Sequence, residues 1–152
     1  MQPNSSQKDF QMAFESFRIV NLSFAINSNF EQDKAINMNP EIAVANMYDK
    51  QNKTLNIRVK VSLSEGNMPF SFDVVGEGRF VFKMKPDEQT LARVEKINGP
   101  AIIYPYVRET IADLTRRAGY PPLHLPPVNF VRLAAEEKQP ALKKKGRLKQ
   151  KG

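Results

Sequence analysis

Between Leu55 and Leu63 the chain alternates without a fault. Leu55, Ile57, Val59, Val61 and Leu63 are apolar, and Asn56, Arg58, Lys60 and Ser62 between them are polar. A period of two places every apolar side chain on one face of an extended segment, so this stretch is a strand with one buried and one wet face. The same pattern recurs three times. Val20, Leu22, Phe24 and Ile26, with Asn21 and Ser23 between them, predict a strand from Ile19. Glu41 to Tyr48 sets Ile42 and Val44 on one face and Ala43, Ala45 and Met47 on the other. Phe70, Phe72 and Val74 resume on the same parity as Phe80, Phe82 and Met84, and Gly76 and Gly78 between them mark a bulge, a bend or a close backbone approach within one long strand. Short polar turns join the last three strands. The set predicts a four-stranded antiparallel meander with one apolar face.

The period then lengthens. Asp87 to Ile97 predicts a short helix, broken at Asn98-Gly99-Pro100. Ile103, Val107, Ile111, Leu114 and Ala118 follow at spacings of three and four, the mark of one helix face. Pro105 suits a helix start, Arg116 and Arg117 suit its negative end, and Gly119 is the expected left-handed stop. Tyr120 to Pro127 holds four prolines and reads as a stiff, extended strap with Leu123 and Leu125 pointing the same way. Asn129 is an N-cap for a short last helix carrying Phe130, Leu133 and Ala134. A sheet followed by helices that cover its apolar face is an α+β fold.

Three runs in this region, Tyr104-Pro105-Tyr106-Val107-Arg108-Glu109-Thr110-Ile111, Tyr120-Pro121-Pro122-Leu123-His124-Leu125 and Pro127-Val128-Asn129-Phe130, occur in the order and at the spacing found in the SecB family of protein-export chaperones, which the chain resembles. The match is strong over the last third of the folded part; the earlier strands agree in order and length but hardly in residues. The resemblance implies a dimer of dimers with the long helices at its centre, which would put Tyr106, Val107, Ile111 and Leu114 in the oligomer interface. It also implies a long apolar groove between sheet and helix that grips unfolded polypeptide, with Met38, Ile42, Val44, Phe130 and Leu133 as its lining. The residues add some support for an oligomer, since Val75 and Val81 in the fourth strand and Ala43, Ala45 and Met47 in the second would stay wet in a monomer. Export-dedicated members dock the translocation motor SecA through carboxylates. The matching positions here resemble Asn21, Ala25 and Asp73, so only Asp73 keeps a carboxylate.

Charge changes this picture less than its total suggests. The formal net charge is +7. From Lys138 onward there are seven basic residues and no acidic one, which leaves sixteen of each sign in the body. A neutral body with a cationic tail argues weakly for nucleic acid, and the tail has no aromatic residue to stack on bases. We therefore expect one domain over residues 1–137, flexible over 1–16, and a disordered basic tail over 138–152.

Enzymatic chemistry finds no foothold. The chain has no cysteine and one histidine, His124, lodged in the proline strap, so neither a metal site nor a cofactor is expected. Gly76-Glu77-Gly78 is followed by more strand, where a phosphate loop needs a helix. The start lacks an apolar leader, and no run approaches the ~18 apolar residues of a membrane span, so a cytoplasmic protein without membrane insertion is expected. Three functions stay open. One is an ATP-independent chaperone holding unfolded or pre-export chains, with SecA as a further partner. The second is a SecB-like chaperone for one dedicated partner such as an antitoxin, and the third a nucleic-acid module acting through the tail.

Overall fold

The computed structural model describes residues 12–31, 36–64 and 66–137, and the tail expected over residues 138–152 lies outside them. Its four strands are β1 (Met12–Ile26), β2 (Glu41–Asp49), β3 (Thr54–Leu63) and β4 (Phe70–Phe82). They form one antiparallel sheet in the order β1-β4-β3-β2. Only β2, β3 and β4 make the expected meander. β1 departs from it and pairs along the far side of β4, giving a Greek-key arrangement. The backbone N–H and the side-chain amide of Asn27 extend that pairing, donating to the carbonyls of Pro69 (2.9 Å) and Met68 (2.8 Å). The connection from Ile26 to Glu41 must then cross from one edge of the sheet to the other, which a tight hairpin could not do.

β1 also starts at Met12, within the segment expected to be flexible. Two register shifts explain why its period was hidden. They fall between Phe14 and Ser16 and between Ile19 and Asn21, so the inward parity changes from even (Met12, Phe14) to odd (Phe17, Ile19) and back to even (Phe24). β4, by contrast, pairs with β3 without a shift, and it ends at Phe82, leaving Met84 exposed.

The helical part begins with α1 (Glu88–Arg93), capped by the Asp87 carboxylate on Thr90 N–H. No break follows. A π-helical turn over Val94–Asn98 carries the chain into α2 (Gly99–Arg117), so Pro100 occupies the first turn and Pro105 lies in the interior. Pro105 is tolerated on the exposed side, and Ala101, whose carbonyl loses its partner, is exposed too. α2 stops as predicted: Gly119 has φ +91°, its N–H donates to Arg116 O, and Tyr120 N–H donates to Thr115 O, the Schellman pair. α3 (Phe130–Glu137) starts on Asn129, whose side-chain oxygen accepts from Arg132 N–H.

The core lies between the sheet and α2. Ile57, Val59, Val61, Val74 and Phe80 from the sheet meet Ile103, Val107 and Ile111 from the helix, all fully buried. Glycine at 76 and 78 permits this contact. A Cβ at Gly76 would sit 2.6 Å from a Val107 methyl, and one at Gly78 would sit 2.7 Å from Ile103 Cδ1. The two glycines therefore serve close approach of the helix, and the bulges lie opposite, in β1.

Candidate functional site

α2 lies over β3 and β4, at the middle of the sheet. The inward faces of the two edge strands are consequently covered only in part, and two apolar flanks result.

The first flank runs along β2. Ile42, Val44 and Tyr48 stand opposite Val61, Val59 and Leu55 on the inward face and are half-buried, as is Met38 just before the strand. The second wall of this flank comes from the strap and α3. After Gly119 the strap returns along α2, held at Thr115, whose hydroxyl accepts from Leu123 N–H (2.9 Å), and at Tyr104, whose hydroxyl donates to Pro126 O (2.7 Å). Burial pushes the Tyr104 hydroxyl above its ordinary range, so it stays protonated and able to donate. Tyr104 and Tyr106 project about 200° apart around the helix. Tyr106 stacks on Phe17 of β1, with ring centroids 4.7 Å apart, so Tyr104 and its strap lie on the side away from β1, toward β2. Leu123, Val128 and Leu133 pack against the core from this wall and stay half-buried.

Of the expected groove residues, Met38, Ile42, Val44 and Leu133 are thus partly open on this flank. Phe130 is not. It is 4 % exposed, with its ring edge-on to Tyr104 at 5.9 Å, and is a core residue that fixes α3 in place. Tyr48, Leu123 and Val128 belong to the same flank and were missed. Tyr48 shares the parity of Ile42 and Val44, but Asn46 interrupts the apolar alternation before it.

The second flank runs along β1. Tyr106 is 44 % exposed, Leu22 49 % and Ile26 55 %, with Ile102 exposed and Leu114 half-buried on α2. The expected interface set divides here. Tyr106 and Leu114 lie at the surface, whereas Val107 and Ile111 are fully buried against this chain's own sheet and cannot meet another copy. The helical spacing that singled them out marks the inward face of α2.

The outward face of the sheet mixes apolar residues, Met47 being 73 % exposed, with charged side chains that pair with one another. Glu77, with a side chain 11 % exposed, accepts from Arg18 (2.8 Å) and Arg58 (2.7 Å). Burial pushes its carboxyl up, but the hydrogen bonds from Arg58 and Arg18 together outweigh this and hold it below the ordinary range. Glu15 pairs with Arg79. Asp73 pairs with Lys60 at 3.2 Å and accepts from the Asn21 amide at 3.1 Å, and Ala25 offers no charge. His124 is exposed on the strap, and among the described residues no cluster of His, Asp or Glu could hold a metal ion.

The sequence model of the family described as Preprotein translocase subunit SecB matches residues 5–141. The Protein-export protein SecB of Thiobacillus denitrificans is 34 % identical over 68 % of this chain, and that of Methylobacillus flagellatus 42 % identical over 51 %. The chain spans 66 % and 48 % of the length of these two relatives. In structure it is similar to a SecB-like chaperone of Mycobacterium tuberculosis solved in complex with a ChAD peptide from an antitoxin. The TM-score is 0.69 at 20 % identity, covering 81 % of this chain and 95 % of that one. The family model covers most of the chain, and the overall fold agrees with that of the structural neighbour: the chain belongs to the SecB family.

Proposed function

We propose that this chain is a holding chaperone that works without ATP, binding unfolded or pre-export polypeptides in the apolar flank between β2 and the strap. The observation that carries the reading is the half-buried row Met38, Ile42, Val44 and Tyr48 on and just before β2, together with the equally half-buried Leu123, Val128 and Leu133 along the strap and α3, in a member of this family. Half-buried apolar side chains gain by being covered, and an extended chain laid along them covers many at once. A folded protein has its apolar segments inside and is released. The test is suppression of aggregation of a chemically unfolded client with no nucleotide present. Wild-type protein suppresses it, Ile42→Asp loses most of the effect, and Lys144→Glu keeps it; equal activity of Ile42→Asp and wild type overturns the site.

The β1 flank is the proposed contact between copies, with Tyr106, Leu114, Leu22 and Ile26 in place of the buried pair. A tetramer is the assembly the family suggests.

A second reading, a chaperone for one dedicated partner such as an antitoxin, is favoured by the outward face. Delivery to SecA would use carboxylates there, and the one acidic position of the three, Asp73, is already engaged by Lys60 and Asn21. The structural neighbour bound to an antitoxin peptide supports the same reading. Affinity capture under native conditions separates the two: one dominant client for a dedicated chaperone, a broad set of non-native proteins for a general one. Nucleic-acid binding through the tail would require salt-sensitive binding that disappears on deleting residues 143–152.

A further inference from the structure

The strap is a wall without a sheet partner. Four of its residues, Pro121, Pro122, Pro126 and Pro127, have no N–H to donate, so it cannot be held by a ladder of backbone bonds. Two side-chain hydroxyls take over that work. Thr115 is fully buried in α2; its one hydroxyl hydrogen is shared between Ala112 O (3.0 Å) and Ile111 O (3.1 Å) while the oxygen accepts from Leu123 N–H. Tyr104, about three helical turns earlier, donates to Pro126 O and holds Phe130 of α3 against its ring. Between the two points Leu125 enters the core as a peg. Tyr104 thus places both the end of the strap and the start of α3, the two elements that carry Leu123, Val128 and Leu133.

We propose that Tyr104 and Thr115 are positioning residues that set the gap between the strap and β2, and hence the size of client side chain the flank accepts. The inference rests on the groove reading above. Neither residue touches the client. Releasing either hydroxyl lets the proline strap drift outward as a stiff unit, since beyond the Tyr120 N–H bond to Thr115 O at its start it has no other backbone bond to α2 among the described residues, and the wider gap favours large side chains over medium ones.

The experiment uses full-length protein and labelled, otherwise polar peptides that carry Leu or Trp at one anchor position. In Tyr104→Phe, which keeps the ring and its packing on Phe130, the ratio of Trp-peptide to Leu-peptide affinity rises on the order of fivefold, the effect of losing about one hydrogen bond. Thr115→Val shifts it the same way, and Thr115→Ser, which restores the hydroxyl, returns it to the wild-type value. A purely structural role lowers the melting temperature and leaves that ratio alone. An unchanged ratio in Tyr104→Phe, whether or not the melting temperature falls, overturns the inference. Wild-type protein that binds neither peptide removes the groove itself, a different and recognisable failure.

Discussion

Gly76 is one of the points where the sheet and α2 approach closely, and its missing side chain has a measurable effect. A methyl group there meets a Val107 methyl at 2.6 Å and the Phe17 ring at 2.7 Å, from two different elements, so relief requires moving both. Gly76→Ala should lower stability by about 1–3 kcal/mol, the usual range for overpacking a core, read as a lower urea midpoint at constant slope. Glu77, next in the strand but facing out, gives a pH signature. Its carboxyl is held below its ordinary 4.5, so its contribution is complete above that pH and is lost as the pH falls through the lowered value. The stability difference between wild type and Glu77→Gln, on the order of 1–2 kcal/mol for hydrogen bonds to a charged group, should therefore be flat from pH 8 to 5 and shrink below 4.5. At this scale the sequence could be read only halfway. It marked Phe130 and Leu133 as one helix face but could not say that the Tyr104 ring would claim Phe130 and leave Leu133 half open. It also grouped Val107 and Ile111 with Tyr106, although at about 100° per residue these two point about 100° and 140° away from Tyr106 around the helix.

Elements were readable where one period ran unbroken. β3 has a single parity and one face buried between two neighbours, and from Leu55 to Leu63 its apolar positions are the buried ones. β1 has three parity segments in fifteen residues, so a period-two reading caught only the last of them. Its place beside β4 was not in the pattern either, because a long connection after Ile26 serves a hairpin or a crossing equally well. The helix boundaries divide by mechanism. Gly119 and Asn129 act through local backbone chemistry and sit where expected, whereas Pro105 was misread because helix continuation through the π-helical turn depends on packing around Val94 and Gly99. Asn129 supplies a further prediction. Asn129→Ala removes the acceptor for Arg132 N–H, should cost about 1 kcal/mol, and should speed amide exchange in residues 130–133 while leaving β3 protected.

At the scale of the whole molecule, one helix over the middle of four strands leaves two different flanks, one for each proposed contact. The two are separable by mutation. Leu22→Asp with Tyr106→Asp should reduce the mass measured by light scattering toward the 17.3 kDa of a single chain, whereas Ile42→Asp should leave the assembly intact and reduce client binding. If the first pair leaves the mass unchanged, β1 does not join the copies. The candidate site was readable in the sequence mainly through Ile42 and Val44, which sit on an edge strand with a regular period. Its other wall depends on where the strap lies, and no periodicity encodes the path of a proline-rich segment.

The Greek-key pairing also shapes how this protein is made. β1 can close only on β4, and residues 27–69 stand between them, so at a synthesis rate of ~5–20 residues per second the first strand waits roughly 2–9 s for its partner. Throughout that interval a nascent chain exposes Phe14, Phe17 and Phe24 on an unpaired ribbon. During its own birth this protein is, briefly, the kind of molecule that it is proposed to protect.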